Sequence, residues 1–577
     1  MPETITTDVL VVGGGVGGTC AALQAARRGA QVVLVSEFAW LGGMLTSAGV
    51  AAPDGNELVP WQTGLWGAFL QALRERQPGG LDHNWVSFFA YAPKVGAAIL
   101  ADWLAALPNL RWIAGQVPLD VYQSGDRLTG VRFANYEIRA QITLDGTELG
   151  DLLALAEVPH RWGWEWQAEF NEPSAPTGPS AMTEQYPVQS PTWVVYLQDY
   201  GEGTAAPLIP VPEIDTNGQF AGAWENYGAE RFLNYGRIPG NQFMLNWPIH
   251  GNDYGVGLTR LVGSDAERTA YHQEARAHSQ AFARFLQTQI DSRYGLAEET
   301  FPTGAFALHP YYRESRRLRG IATITETDIL PQAGGVTASL PLHSGQVMAI
   351  AVGNYPDDHH YPGFEFPLKP KSMQWGGHWT GTPFTVPYTA LVPERLTGLL
   401  VCEKNISVSH IANGSTRLQP MVMGIGQAAG MAAALCVEQG CDPAELPVRS
   451  LQEALITDAI APSAVIPLLD LVPQHPDWLQ WQRHYLDYPE DYPLDGRCGC
   501  DRRECPISPT AVTATGILEI INGNQFQLKT ADRIWPLVTL HPAVDADFQG
   551  LRSGQSLSVV GRANPWGDWF VVERVGG

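Results

Sequence analysis

The chain has 577 residues, enough for about three or four domain-sized units, and its 45% hydrophobic content supports a large core. With 59 acidic against 36 basic residues, the formal charge is −23 and no Lys/Arg run stands out, which argues against nucleic acid and anionic membranes as general partners. Seven cysteines, few and odd in number, point to a reducing, cytoplasmic setting rather than a disulfide scaffold.

Asp8 to Val12 reads as a buried strand running into Gly13-x-Gly15-x-x-Gly18. A small-residue helix, Thr19 to Arg28, follows. Gly29 ends it, and a second apolar run, Gln31 to Ser36, stops at Glu37. This is a complete βαβ start, the context a dinucleotide fingerprint needs. Gly13 allows the tight turn, Gly15 lets the backbone approach a pyrophosphate, and Gly18 lets helix and strand pack closely. The helix N-terminus, with Val16 and Gly17 in the same turn, offers free N–H groups and a positive dipole end to phosphates. Glu37 can accept hydrogen bonds from ribose hydroxyls. With a strand entered by residue 8, no signal peptide is expected.

Trp40-Leu41-Gly42-Gly43-Met44-Leu45-Thr46-Ser47 comes next. Two adjacent glycines followed by Thr and Ser make a loop that can press backbone against a planar ligand. A NAD site does not need this second loop; an elongated FAD would use it. The stretch resembles the Gly-Gly-x-x-Thr loop of FAD-dependent oxidoreductases of the glutathione-reductase-like and fumarate-reductase-like flavoprotein superfamily. That resemblance implies FAD as cofactor, with Gly42, Gly43, Met44 and Thr46 against it.

Residues 61–76 and 94–107 read as helices, with Trp61 and Trp66 expected in the core. Short strands follow: Arg111 to Ala114, Val117 to Tyr122, Leu128 to Ala134 and Glu137 to Thr143, the middle pair joined by a Ser124-Gly125-Asp126 turn. Val117, which opens the second strand, is counted with the cofactor-binding residues. Asp145-Gly146-Thr147-Glu148-Leu149-Gly150-Asp151-Leu152 resembles a segment of one branch of the family, of the form Asp-Ala-Thr-Tyr-Glu-Gly-Asp-Leu, where a strand returns to the nucleotide. The resemblance implies cofactor roles for Asp145 and Gly146; Gly146, Glu148 and Leu149 depart from the pattern.

From Pro173 to about Gly240 the chain turns rich in Pro, Gly, Ser and Thr, as at the entry to a second, substrate-facing domain. The polar cluster Asn246 to Tyr254, which holds His250, reads equally as a site-lining loop or a polar surface loop. Ala266 to Gln289 is a long helix. His309-Pro310-Tyr311-Tyr312-Arg313-Glu314-Ser315-Arg316-Arg317 follows. Three arginines in five residues make either a solvated charge run or an active-site element that uses Arg313 or Arg316. The branch carries an Arg-Glu-Ser-Arg-Arg motif here. Asp357-Asp358-His359-His360 could suggest a metal. Adjacent histidines in a strand point to opposite faces, so one catalytic histidine, His359, is expected and no metal.

Phe384-Thr385-Val386-Pro387-Tyr388 resembles the branch's Phe-x-Ile-Pro-Tyr motif, and Gly398 to Cys402 reads as a buried parallel strand. Ser407 to Arg417, with His410, leads into the small-residue helix Met423 to Ala434. Small residues there can serve simple helix–sheet packing. The resemblance to the family's C-terminal FAD motif favours a cofactor role, with Arg417, Gly424 and Gln427 near the flavin N1/C2 carbonyl region. Met421 to Val437, interrupted by Gln427, looks too short and too light to span a bilayer. Cys498-x-Cys500-x-x-x-x-Cys505 has metal-ligand residue types but no second Cys pair nearby. Residues 510–577 alternate turns and strands, as in a small β-barrel.

The expected protein is α/β. Its Rossmann-like FAD-binding domain is discontinuous (1–160 and 383–460) and holds an inserted α+β substrate domain (161–382). A linker (461–509) and a C-terminal β-barrel-like module (510–577) follow. The expected function is an FAD-dependent oxidoreductase, a dehydrogenase or oxidase passing hydride between a small organic substrate and flavin N5. An arginine from 313–317 together with His250, His359 or His410 would orient substrate or move a proton. The alternatives are a flavin-dependent monooxygenase and a non-enzymatic flavoprotein scaffold.

Overall fold

The computed structural model describes residues 2–214, 218–500 and 506–576. Its organising sheet is built from β1 (Glu3–Val12), β2 (Val32–Ser36), β3 (Leu110–Ala114) and β6 (Tyr136–Asp145), all parallel in the order β3-β2-β1-β6. Val9, Leu10, Val11 and Val12 are all buried, as is every residue of β2, which is how strands covered on both faces read. The first half of β6 carries β5 (Arg127–Arg132), and β5 carries β4 (Asp120–Ser124), both antiparallel. The second half carries the parallel strand Leu399–Val401, with Leu399 opposite Thr143 and Val401 opposite Asp145. Residues some 250 positions apart therefore share one sheet.

β4 starts at Asp120, not at Val117 as the sequence suggests. Pro118 has no N–H to give a ladder, and Gln116 N binds Ser36 O instead, at 3.1 Å. This turns Gln116–Pro118 away from the sheet and over the ends of β1 and β2.

Helix α1 (Val16–Arg28) follows β1 and ends at Gly29, whose φ of 111° sends its N–H back to Ala25 O and Ala26 O. α2 (Gly64–Arg76) and α3 (Pro93–Ala105) pack beside it, with Trp61 and Trp66 both in the core. The helix Gln419–Gln439 lies directly on α1. A Cβ on Gly426 would overlap Gly17 O, and one on Gly430 would overlap Ala21 O, so the two backbones touch. By length and composition this helix is long and apolar enough to cross a bilayer, contrary to the sequence-based expectation. Its apolar window is nevertheless 89% buried within the fold, the place of a core helix. We expect Gly430→Val to push the helices apart and cost about 1–3 kcal/mol; an unchanged thermal midpoint would contradict this packing.

From about Val195 onward the chain builds a second body around a separate sheet. Val195–Asp199, Gln242–Leu245, Tyr294–Leu296 and the short strand Arg237–Ile238 form an antiparallel sheet. The helix Asp265–Gln289 packs on it and starts with a reciprocal Ser264–Glu267 cap. Ala349–Gly353 pairs with Phe384–Pro387, so residues 354–383 form an excursion between two paired strands. At the end of the chain, Val512–Ile521, Gln525–Lys529, Ile534–Val538, Ser556–Asn564 and Trp569–Gly576 close into a five-stranded barrel with its own apolar core.

Candidate functional site

A cleft opens at the carboxyl ends of β1, β2 and β6, where ligands bind in open parallel sheets. It is lined by Gly13–Gly15, Glu37, Phe38, Gly43, Gln116–Pro118 and Gly146–Leu149, and by Arg268, His272, His309 and Tyr312 from the second body. Gly13 turns the chain with φ 107°, and a side chain there would overlap Gly146 O. Gly15 is the N-cap of α1 and has no side chain to cap it, so the N–H groups of the first turn depend on partners from outside the helix. The second glycine-rich loop is stitched to the first by Gly42 N to Gly14 O at 2.9 Å. Thr46 Oγ1 donates to Leu41 O at 2.5 Å and is fully buried together with Met44. These two residues therefore hold the loop's shape, while Gly43 forms the wall. Asp145 acts in the same indirect way: its carboxylate accepts from Thr147 N at 3.0 Å and Thr147 Oγ1 at 2.7 Å, fixing the Gly146–Thr147 turn. At the mouth, burial first and Asp151 next push the Glu37 carboxyl up to about 7, against the pull of Arg268.

These residues fit a dinucleotide. An acid stands at the end of β2 for a ribose, and a glycine-lined surface lies at the α1 N-terminus for a diphosphate. The Gly43–Ser47 loop continues beyond them.

The segment Leu308–Arg317 leads from this cleft into the second body. Leu308 N binds Ser47 O at 2.8 Å, and Ser47 Oγ lies 3.0 Å from His309 Nε2. His309 stacks on Phe38 with ring centres 4.9 Å apart. Two residues on, the Tyr311 hydroxyl accepts from Arg417 Nη1 at 2.7 Å. Thr192 bridges to both Asp253 and Tyr311, which draws three distant stretches together. Arg313, 1% exposed, pairs with Asp253 at 3.1 Å and donates to Ser190 O at 2.5 Å and Thr192 Oγ1 at 2.9 Å.

His360 joins two carboxylates: Nδ1 is 2.6 Å from Asp253 and Nε2 is 2.7 Å from Asp358. Arg417 lies 3.5 Å from Asp358. Burial would raise the Asp253 carboxyl, but Arg313 and His360 outweigh it and hold the group at about 2. Against the same burial, His360 and Arg417 hold Asp358 well below the usual carboxylate range. Yet the Asp358 side chain is 44% exposed, so it faces an open chamber. Asp54 borders the chamber; burial, then Asp358 and Glu57, push its carboxyl up to about 8 despite Arg417. Asp54 also lines a pocket walled by Phe88, Phe89, Tyr355 and Trp379 and reached by Glu57 and His378.

Several residues singled out from the sequence stand elsewhere. His250 is exposed at φ 47° beside Gly222. Arg316 binds Asp151 at 3.0 Å and Leu149 O at 2.9 Å, bracing the loop after β6. His410 is spent on Glu314 (2.9 Å) and the Tyr361 hydroxyl (2.5 Å) beneath Trp164. His359 is spent on Tyr361 (2.7 Å) and Ile411 O (3.0 Å). Its neighbour His360 points the other way, into the chamber. Gln427 joins Leu65 N and Ala461 O, both at 2.8 Å, and Gly424 faces a small void beside Ala351, so neither lies in the cleft. The small residues of that helix serve packing, and Arg417, just before it, reaches the chamber. Val117, by contrast, lines the cleft. The sequence-based choice missed Asp54, Asp253, Asp358, His360, Glu148, Glu403 and Lys404; the last two directly follow the carboxyl end of the strand Leu399–Val401, a position that parallel topology marks. The sulfurs of Cys498 and Cys500 lie 2.6 Å apart, and Cys505 lies outside the described residues. Among the described residues no group of three His, Cys, Asp or Glu side chains is arranged to hold an ion.

Among known proteins, residues 8–455 match the profile of the FAD dependent oxidoreductases. A 57-residue stretch is 46% identical to sarcosine oxidase subunit alpha of Corynebacterium sp. (strain P-1), covering 10% of this chain and 6% of that one. The chain thus spans a small fraction of that curated relative. A solved geranylgeranyl bacteriochlorophyll reductase-like protein from Thermoplasma acidophilum is 9% identical, covering 85% of this chain and 98% of its own, with a TM-score of 0.32. L-proline dehydrogenase from P. horikoshii is 18% identical over 29% of this chain and 26% of its own, with a TM-score of 0.16. Likenesses at these scores say nothing about substrate. The match over most of the chain, on a cleft built for a dinucleotide, places the protein in the FAD dependent oxidoreductase family, an enzyme with FAD as its cofactor.

Proposed function

We propose that the protein is an FAD-dependent oxidase or dehydrogenase that removes a hydride from a small organic amine. The observation that carries this reading is the acidic, aromatic chamber at the end of the 309–313 segment. There Asp54 and Asp358 face open space, and Phe88, Tyr355 and Trp379 wall the approach. Carboxylates combined with aromatic faces favour an organic cation. The two nearby arginines are neutralised by their own carboxylates, Arg313 by Asp253 and Arg417 by Asp358. Among the described residues no ion pair engages Asp54, which leaves its carboxyl for a ligand.

FAD, when bound, supplies the two-electron acceptor. Asp54 holds the substrate nitrogen, and the aromatic walls exclude water around its carbon chain. His360 donates to Asp253 through one ring nitrogen and to Asp358 through the other and so holds Asp358 in place, while ionised Asp54 takes the proton that the amine must lose.

The test is anaerobic bleaching of the flavin by panels of primary and secondary amines, alcohols and hydroxy acids. Amines alone should bleach it; bleaching only by alcohols or acids would sink the reading. A second measurement isolates Asp54. A quaternary ammonium ion has no proton of its own to lose, so its affinity should improve as pH rises from 6 and level off above about 8, where Asp54 is ionised. Asp54→Asn should flatten that profile and weaken binding about tenfold, about 1.4 kcal/mol.

A further inference from the structure

At the α1 N-terminus, two carboxylates already sit where the glycine surface would receive a diphosphate. Glu403 accepts from Gly17 N at 2.5 Å. A Cβ on Gly15 would lie 3.0 Å from Glu403 Oε2 and 3.1 Å from Glu148 Oε1, and one on Gly43 would overlap that same Glu148 oxygen. Glu148 Oε1 has no hydrogen-bond partner of its own. Its other oxygen pairs with Lys404, whose ammonium also lies 3.3 Å from Glu403. The Lys404 and Glu403 side chains are fully buried, and Glu148 is 17% exposed. One ammonium therefore serves two carboxylates in the gap between the two glycine-rich loops.

The one other fixed cation lining the cleft among the described residues, Arg268, is paired with Asp151 at 3.1 Å on the Glu37 side. Cys20 on α1, Cys402 and Asp145 lie behind Glu403, and His309, Glu37 and Tyr312 face Glu148 across the cleft. Burial lowers His309 towards its neutral form, against the pull of Glu148. A diphosphate entering this gap meets like charge in direct contact, which costs several kcal/mol if both carboxylates stay ionised.

We propose that Glu403 is a proton-coupled gate to cofactor loading. The diphosphate of FAD takes over the Gly17 N–H and the Lys404 ammonium, and Glu403 gives up its charge by taking one proton from solvent. No bond other than this O–H forms. The idea rests on FAD being the cofactor. The direction is consistent with the free protein: burial, with Glu148 beside it, raises the Glu403 carboxyl to about 7 although Lys404 and Gly17 N–H oppose this. A bound diphosphate raises it further, so loading takes up a proton above neutrality and weakens as pH rises.

The experiment is calorimetric titration of the full-length, FAD-free protein with FAD, in two buffers of different ionisation enthalpy. At pH 8 the wild type should take up close to one proton per FAD, falling towards none at pH 6, with affinity dropping up to tenfold per pH unit above 7. Glu403→Gln should take up none and bind FAD at least tenfold more tightly than wild type at pH 8.5. The proton count of the wild type alone decides the matter if the variant fails to fold. No uptake at pH 8 overturns the proposal. So does uptake that persists in Glu403→Gln, which would place the proton on another group such as His309. A well-folded Glu403→Gln that binds FAD more weakly at pH 8.5 also overturns it, because charged Glu403 is then a cofactor ligand. Wild type that binds no FAD at either pH overturns both this gate and the cofactor on which it rests.

Discussion

Replacing His360 with alanine should slow substrate-driven flavin reduction about 10²-fold, because Asp358 loses the donor that positions it. The FAD content should be unchanged, because His360 touches Asp253 and Asp358 and nothing in the cleft. Asp253 keeps Arg313 as partner, so the chamber retains its shape and KM should move far less than the reduction rate. Anaerobic stopped-flow reduction at saturating substrate measures this directly. A rate within threefold of wild type would show that the reaction does not need His360 to position Asp358. The same substitution at His359, next in sequence but bound to Tyr361 and Ile411 O, should lower stability rather than the rate of reduction.

The largest loss of stability should come from Arg317→Leu, about 3–5 kcal/mol. Arg317 is fully buried, pairs with Glu165 at 2.9 Å and Glu314 at 3.0 Å, and donates to Val408 O at 2.8 Å. Leucine would leave two buried carboxylates without their shared cation. One of them, Glu165, also accepts from His410 N at 2.7 Å, so the 165, 314–317 and 408–410 segments would loosen together. The thermal midpoint should fall by about 2.5–4 °C. Arg317→Lys should recover only part of this, since an ammonium cannot bridge both carboxylates in a plane. The pH dependence has a defined sign. Burial tends to raise the Glu314 carboxyl, but His410 and Arg317 outweigh it and hold the group below its ordinary value. Its contribution is therefore present above about pH 4.3, the unfolded value, and is lost as pH falls through the lower folded value. A midpoint within 2 °C of wild type would show that the network is dispensable.

What the sequence discloses is what local pattern controls. Asp8 to Glu37 announces a strand, a glycine turn, a helix and an acid because each step follows from neighbouring residues. The structure puts Gly13, Gly15, Glu37, Gly43 and Val117 along one cleft. The chamber was hidden for the opposite reason. Asp253, His360 and Asp358 meet only because Thr192 bridges two remote stretches and residues 354–383 leave and re-enter a strand pair. Choosing between His359 and His360 needs side-chain direction, which composition does not carry. The 419–439 helix misled in another way. Glycines that suit a flavin also suit a neighbouring backbone, and here Gly426 and Gly430 meet α1.

That backbone contact, with the strand Leu399–Val401 on β6, has a bearing on how the protein is made. Ribosomal synthesis proceeds at about 5–20 residues per second. The edge of β6 and the outer face of α1 therefore wait roughly 15–60 s after their own emergence for the segments that cover them. During that interval the nascent chain exposes an unpaired strand and an apolar helix face, the kind of surface that chaperones retain. Premature termination anywhere before about residue 440 would release such a chain permanently, so even late nonsense mutations should yield insoluble product rather than a shortened enzyme.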